Sequence, residues 1–196
     1  MEQRTGESVA RRLPPGSHGI PADVVARNQR ERLVAAMAEV CAERGYAEAS
    51  VERVAKRAGV SSVTFYKQFG SKQDCLLASH RALLGRLLEE IDRAVESDEG
   101  EAGSGAGVRA IVHTALEIFA ADPPSARLLT VEVLAAGPEG VKRHDAMVEA
   151  FAERLGTDWV RAAGLLALVG KRVVAGEADR LPQLEEELVA TVSSQS

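Results

Sequence analysis

The chain has 196 residues, 45% apolar and 27% charged, with a net charge of -5. That length and apolar content support one long domain or two short ones with a sizeable core, and argue against a disordered, collagenous or secreted protein. No apolar run approaches the ~20 residues of a membrane helix, the acid-bearing start MEQRTGESVARR predicts no signal peptide, and two cysteines build neither a disulfide framework nor a zinc cage.

The charge is uneven along the chain. Residues 1–72 carry 12 of the 24 Lys and Arg but 8 of the 29 acids, giving +4, and the remainder carries -9. A basic first third on an acidic remainder points to a polyanion partner for the N-terminal part. Residues 1–22 read as a flexible basic arm, because RRLPPGSHGIP sustains neither helix nor central strand. Such an arm is either an ordinary chain end or a minor-groove contact.

A helical period runs from Asp23 to Arg44, with Leu33, Met37, Val40 and Cys41 on one stripe and Gly45 as its stop. Cys41 on that stripe predicts a buried thiol, and Cys75 has no basic neighbour in sequence that favours a thiolate. Two short helices follow. Ser50 caps VERVAKRAG, Gly59-Val60 makes the turn, and Ser61 caps SVTFYKQF, which Gly70 ends. Helix, glycine turn and helix in ~20 residues is the footprint of a helix-turn-helix, or of a plain helical hairpin.

Ser71 and Asp74 open a long helix whose stripe holds Leu76, Leu77, His80, Leu83, Leu84, Leu87, Leu88, Ile91 and Val95. His80 there predicts a packed core histidine. The helix ends in a Gly-rich acidic linker over 97–107. Five further helices are expected, over 108–121, 125–136, 139–155, 158–175 and 181–193. The expected fold is all-α: an N-terminal three-helix helix-turn-helix domain over 23–71 and a C-terminal helical effector and dimerisation domain over 72–196.

Catalytic motifs are missing. GSGAG over 103–107 has neither nucleophile-elbow order nor dinucleotide-loop spacing. Gly164…Gly170-Lys171 is one residue too long for a phosphate loop, and Arg172 stands where a hydroxyl must hold magnesium. His113 and Glu117 lie four apart, as a local hydrogen bond or a pair of metal ligands. No catalytic residue, metal site or cofactor is therefore expected.

The stretch over 30–77 resembles the DNA-binding domain of the TetR family of one-component transcriptional regulators. The resemblance rests on ERGY at 43–46, Ser50-Val51, AGVS at 58–61, Thr64-Phe65-Tyr66, Phe69 and Ser71-Lys72. It covers about a quarter of the chain without a gap, and the arm and TFY variant are similar to actinobacterial members. It implies a cytoplasmic homodimer with no membrane partner, each subunit placing its second short helix in the major groove of double-stranded DNA. The DNA-binding residues it implies are Ser50, Val51, Ser62, Val63, Thr64, Tyr66, Lys67, Gln68 and Lys72, with Lys72 on a phosphate. Val63 stands where many members have Gly, and Gln68 where many have His or Tyr, so no operator sequence carries over.

The resemblance also implies a dimer face on the last two long helices. Gly164, Leu165, Leu168, Leu184 and Leu188 are the candidates there. A pocket for an unknown, largely apolar inducer is expected from His113, Phe119, Leu129, Val133, Met147, Phe151 and Trp159. The functional expectation is a ligand-responsive regulator, a repressor released from a palindromic operator. The alternative is a small all-α ligand carrier or enzyme with a vestigial helix-turn-helix.

Overall fold

A computed structural model describes residues 21–97 and 105–193. The arm up to residue 20 and positions 98–104 of the expected linker lie outside the described residues. Helix α1 (Ala22–Glu48) buries Leu33, Met37, Val40 and Cys41, as their spacing requires. Gly45 breaks its helical geometry at φ 77°, a value that suits glycine and kinks the last turn. Then come α2 (Val51–Ala58), α3 (Ser62–Gln68) and the long α4 (Lys72–Ser97).

The second part of the chain departs from expectation in three places. Helix α5 (Gly105–Ala121) starts earlier than expected, so Gly105 and Gly107 of the expected linker are helical. The expected helix over 125–136 is two pieces: α6 (Pro123–Thr130) and a 3-10 segment Glu132–Ala136. They part at Val131 (φ -129°, ψ -58°), where the chain turns to deliver Glu132 to α1. After α7 (Pro138–Leu155) and α8 (Trp159–Val174), the expected helix over 181–193 also splits. Residues Ala178–Leu184 form a 3-10 segment around Pro182, which has no N–H to give, and α9 is only Glu185–Ser193.

Among the described residues there is no strand. One continuous apolar cluster runs from Leu33 in α1 to Val192 in α9. Helix α1 packs on α2 and α4 and also on α6, so the N-terminal helices share a core with the rest of the chain. Phe65, Leu76, Ile91, Phe119, Phe151 and Leu166 are fully enclosed. Each such side chain contributes ~1.5–3 kcal/mol of burial relative to exposure.

Candidate DNA interface and ligand cavity

The helix-turn-helix is fixed by caps that the sequence supplies. Ser50 Oγ accepts the Arg53 N–H at 3.3 Å and Ser61 Oγ accepts the Thr64 N–H at 3.1 Å. Between them Gly59 is left-handed (φ 65°). Its N–H reaches Lys56 O at 3.1 Å, and the Val60 N–H reaches Ala55 O at 2.9 Å, the paired bonds of a Schellman turn. Phe65 and Phe69 pin α3 to the core, which turns Val63 (68% exposed) and Tyr66 (59%) outward with Lys67.

Not all nine expected DNA-binding residues face outward. Val63, Tyr66 and Lys67 do, with Ser62, Thr64 and Val51 half-exposed beside them. Ser50 spends its hydroxyl on the cap, and the Thr64 and Ser61 hydroxyls lie 3.0 Å apart. Two more of the nine are engaged within the chain. Gln68 turns back to α1: its Nε2 donates to Ala26 O at 3.2 Å, while its own carbonyl accepts from Arg30 at 2.8 Å. Lys72 also turns inward, its Nζ donating to Tyr46 O at 2.9 Å and sitting 4.2 Å from the Tyr46 ring centre. The part-buried carbonyl and the ring face together orient this ammonium.

The same corner joins the reader to the rest of the molecule. Glu132, buried to 6% exposure, accepts the Tyr46 N–H at 2.7 Å and Arg127 Nε at 2.8 Å. Arg127 also donates to Ala42 O at 2.9 Å. The kink at Gly45 presents these α1 groups to the Glu132 carboxylate, which a Cβ added at Gly45 would meet at 3.8 Å. The sequence shows this clamp only as a Glu in an apolar run, without its partners some 85 positions away.

A cavity of about 470 Å³ opens between α4, α5 and α6, within the ~300–1,000 Å³ of small-molecule sites. Its apolar wall is Leu83, Leu87, Ile118, Phe119, Ala126 and Leu129. Its rim carries Arg86, Glu90, His113, Thr114, Glu117, Asp122 and Ser125. Of the seven expected wall residues only His113, Phe119 and Leu129 line it. Val133, Met147 and Phe151 are plain core at 1% exposure or less, because helical spacing marks burial and says nothing of empty space. Trp159 opens α8 and is 45% exposed, away from the cavity. Leu83 and Leu87 of α4 were missed as wall, although their stripe is visible in the sequence, and Arg86 beside them carries no such signal.

His113 Nδ1 lies 2.8 Å from Glu185 Oε2, so its partner is on α9 and not Glu117. Among the described residues no three His, Cys, Asp or Glu side chains converge as a metal site. Burial pushes both thiols up to about 12, so Cys41 and Cys75 are protonated packing residues at neutral pH. His80 is 1% exposed, and burial holds its pKa down to about 4, helped by the neighbouring His144 and Arg143. It is a neutral core histidine.

The five expected dimer residues divide. Leu165 and Leu188 are buried in their own subunit, at 7% and 4% exposure, and so do not form a free face. Leu168 and Leu184 are half-buried. Gly164 lies on an open stripe with Val160, Ala167, Lys171 and Val174. A side chain added at Gly164 would meet nothing within 4 Å.

A short capped helix that projects a side-chain row from a helical scaffold is the geometry of a helix-turn-helix DNA reader, and an open, partly apolar cavity lies in the same chain. Comparison with known proteins agrees. Residues 33–79 match the family model for bacterial regulatory proteins, tetR family. The chain is 31% identical over 159 residues to the HTH-type transcriptional regulator EthR of Mycolicibacterium smegmatis, covering 81% of this chain and 68% of that protein. It is 32% identical over 65 residues to the fatty acid metabolism regulator protein of Bacillus subtilis, a match that spans about a third of that relative's length. Its fold is similar to that of the transcriptional regulator FadR from Bacillus subtilis in complex with stearoyl-CoA, with a TM-score of 0.67 and 20% identity over 83% of this chain and 97% of that one. The chain belongs to the TetR family of bacterial regulatory proteins and is a transcriptional regulator. No helix among the described residues is long and apolar enough to cross a membrane.

Proposed function

We propose that the chain is a dimeric repressor that reads a palindromic operator with α3 and leaves it when a largely apolar ligand fills the α4–α5–α6 cavity. Val63 packs on a thymine methyl, Tyr66 reaches a base edge or phosphate, and Lys67 pairs with a phosphate. Residues 23–71 are the reading unit, and 72–196 sense the ligand and form the dimer. The protein senses and does not catalyse, and it works in the cytoplasm without a cofactor.

One observation carries the reading: α6 serves both ends. Its Ala126 and Leu129 are cavity wall, while Arg127, together with Glu132 just beyond it, grips α1 at Ala42 and Tyr46. A ligand that favours a displaced α6 therefore favours a displaced reading domain, and the spacing of two recognition helices no longer fits two half-sites.

Dimerisation through α8 is supported by its open stripe. Val160, Gly164, Ala167, Lys171 and Val174 recur at alternating steps of four and three, the pattern of a helix seam. The small residues at its centre permit close helix approach. The stearoyl-CoA held by the Bacillus subtilis neighbour supports an apolar chain as the ligand's body. The test is Gly164→Leu combined with Ala167→Glu, both on the open face. Sedimentation is expected to show a monomer with unchanged helix content and no operator binding. A dimer that persists in this variant overturns the assignment.

A further inference from the structure

Phe119 belongs to two spaces at once. It is 1% exposed, yet it lines both the 470 Å³ cavity and a second, much smaller gap. That gap measures about 10 Å³. Its other walls include Leu116, Phe151, Leu155, Leu165 and Val169, and every lining residue is apolar. A space so small holds at most one water, and without polar partners it holds none. The core behind Phe119 is thus slightly under-packed and purely hydrocarbon. The larger cavity, by contrast, also carries polar side chains, Arg86 and Glu117 among them.

From this geometry we infer that Phe119 is the residue that sets how deep a ligand reaches, and that the ligand is chain-shaped, with a polar end at the rim and a hydrocarbon tail that stops against this ring. The inference rests on the cavity being the ligand site. A compact ligand needs only the wall of Leu83, Leu87 and Leu129. A chain is the shape that continues from the polar-lined cavity into the apolar gap, and Phe119 is the side chain the two spaces share. Removing the ring merges the two spaces into one deeper channel that leads towards α8. Enlarging it fills part of the cavity.

The test uses the full-length protein and straight primary alcohols from hexanol to hexadecanol, titrated by calorimetry. Each methylene that enters the cavity is expected to tighten binding about fourfold. In the wild type this gain stops at a definite chain length. In Phe119→Ala the gain continues for two or more further carbons, and in Phe119→Trp it stops earlier. Phe119→Leu keeps most of the core volume and serves where the alanine variant does not fold; it is expected to lengthen the limit by about one carbon. If alcohols bind but the limiting length is the same in wild type and variants, the depth assignment fails and the cavity reading stands. If no alcohol of any length binds the wild type, the cavity reading fails and this inference with it.

Discussion

Replacing Glu132 by alanine is expected to destabilise the fold by ~3 kcal/mol. Its carboxylate is 8% exposed and makes two short bonds, to Arg127 at 2.8 Å and to the Tyr46 N–H at 2.7 Å. Breaking a fully buried ion pair costs ~3–5 kcal/mol, because the surviving charge has no compensation. Arg127 is 27% exposed and keeps Ala42 O, so its share falls below that range. The orphaned Tyr46 N–H adds ~1–3 kcal/mol. Glu132→Gln keeps an oxygen for that N–H and is expected to cost about half as much. Urea unfolding followed by circular dichroism reads both values. The double variant Arg127→Met/Glu132→Leu removes both charges and should recover the ion-pair share of the loss, leaving the cost of the unpaired Tyr46 N–H and Ala42 carbonyl. That variant is nevertheless expected to hold operator DNA without letting go when ligand is added, because α6 no longer grips α1. A Glu132→Ala protein within ~0.5 kcal/mol of wild type, or a double variant that still releases DNA normally, refutes the role given to this clamp.

His80 supplies a pH dependence. Its folded pKa of about 4 lies below the ordinary 6.5, so between those values the unfolded chain binds a proton that the folded chain excludes. Stability therefore falls as pH drops from 6.5, by ~1.4 kcal/mol per unit in the steepest part, and His80→Asn should flatten that slope in chemical unfolding measured from pH ~7 to ~5. Lys72 and Lys67 are expected to behave differently on alanine substitution. Lys67→Ala should lower the salt dependence of DNA binding by about one phosphate contact. Lys72→Ala should leave that slope alone and cost ~1–2 kcal/mol of stability, through the lost Tyr46 carbonyl bond and ring contact.

What was legible in the sequence was what depends on near neighbours. The serine caps at 50 and 61, the turns at Gly45 and Gly59, and the inward face of α1 follow from spacing and backbone chemistry over a few residues. What was not legible depended on distant partners. Gln68 and Lys72 look like DNA contacts in a linear reading, and only Ala26 and Tyr46 turn them inward. The helix expected over 125–136 breaks because Glu132 must meet α1. The helix expected over 181–193 starts late because Pro182 sits inside a 3-10 segment. Helical period picked out Val133, Met147 and Phe151 as buried without separating cavity wall from solid core. The cavity itself takes four of its thirteen lining residues from α4, a helix whose stripe in sequence shows only burial.

The most direct test of the central claim is a footprint on DNA from the protein's own genomic neighbourhood, at low salt and without ligand. The account predicts two protected half-sites of inverted sequence about one helical turn apart, weakened when Tyr66 is replaced by alanine and lost when the α8 face is disrupted. Protection of a single half-site unaffected by the α8 variant, or no protection on any fragment, contradicts it.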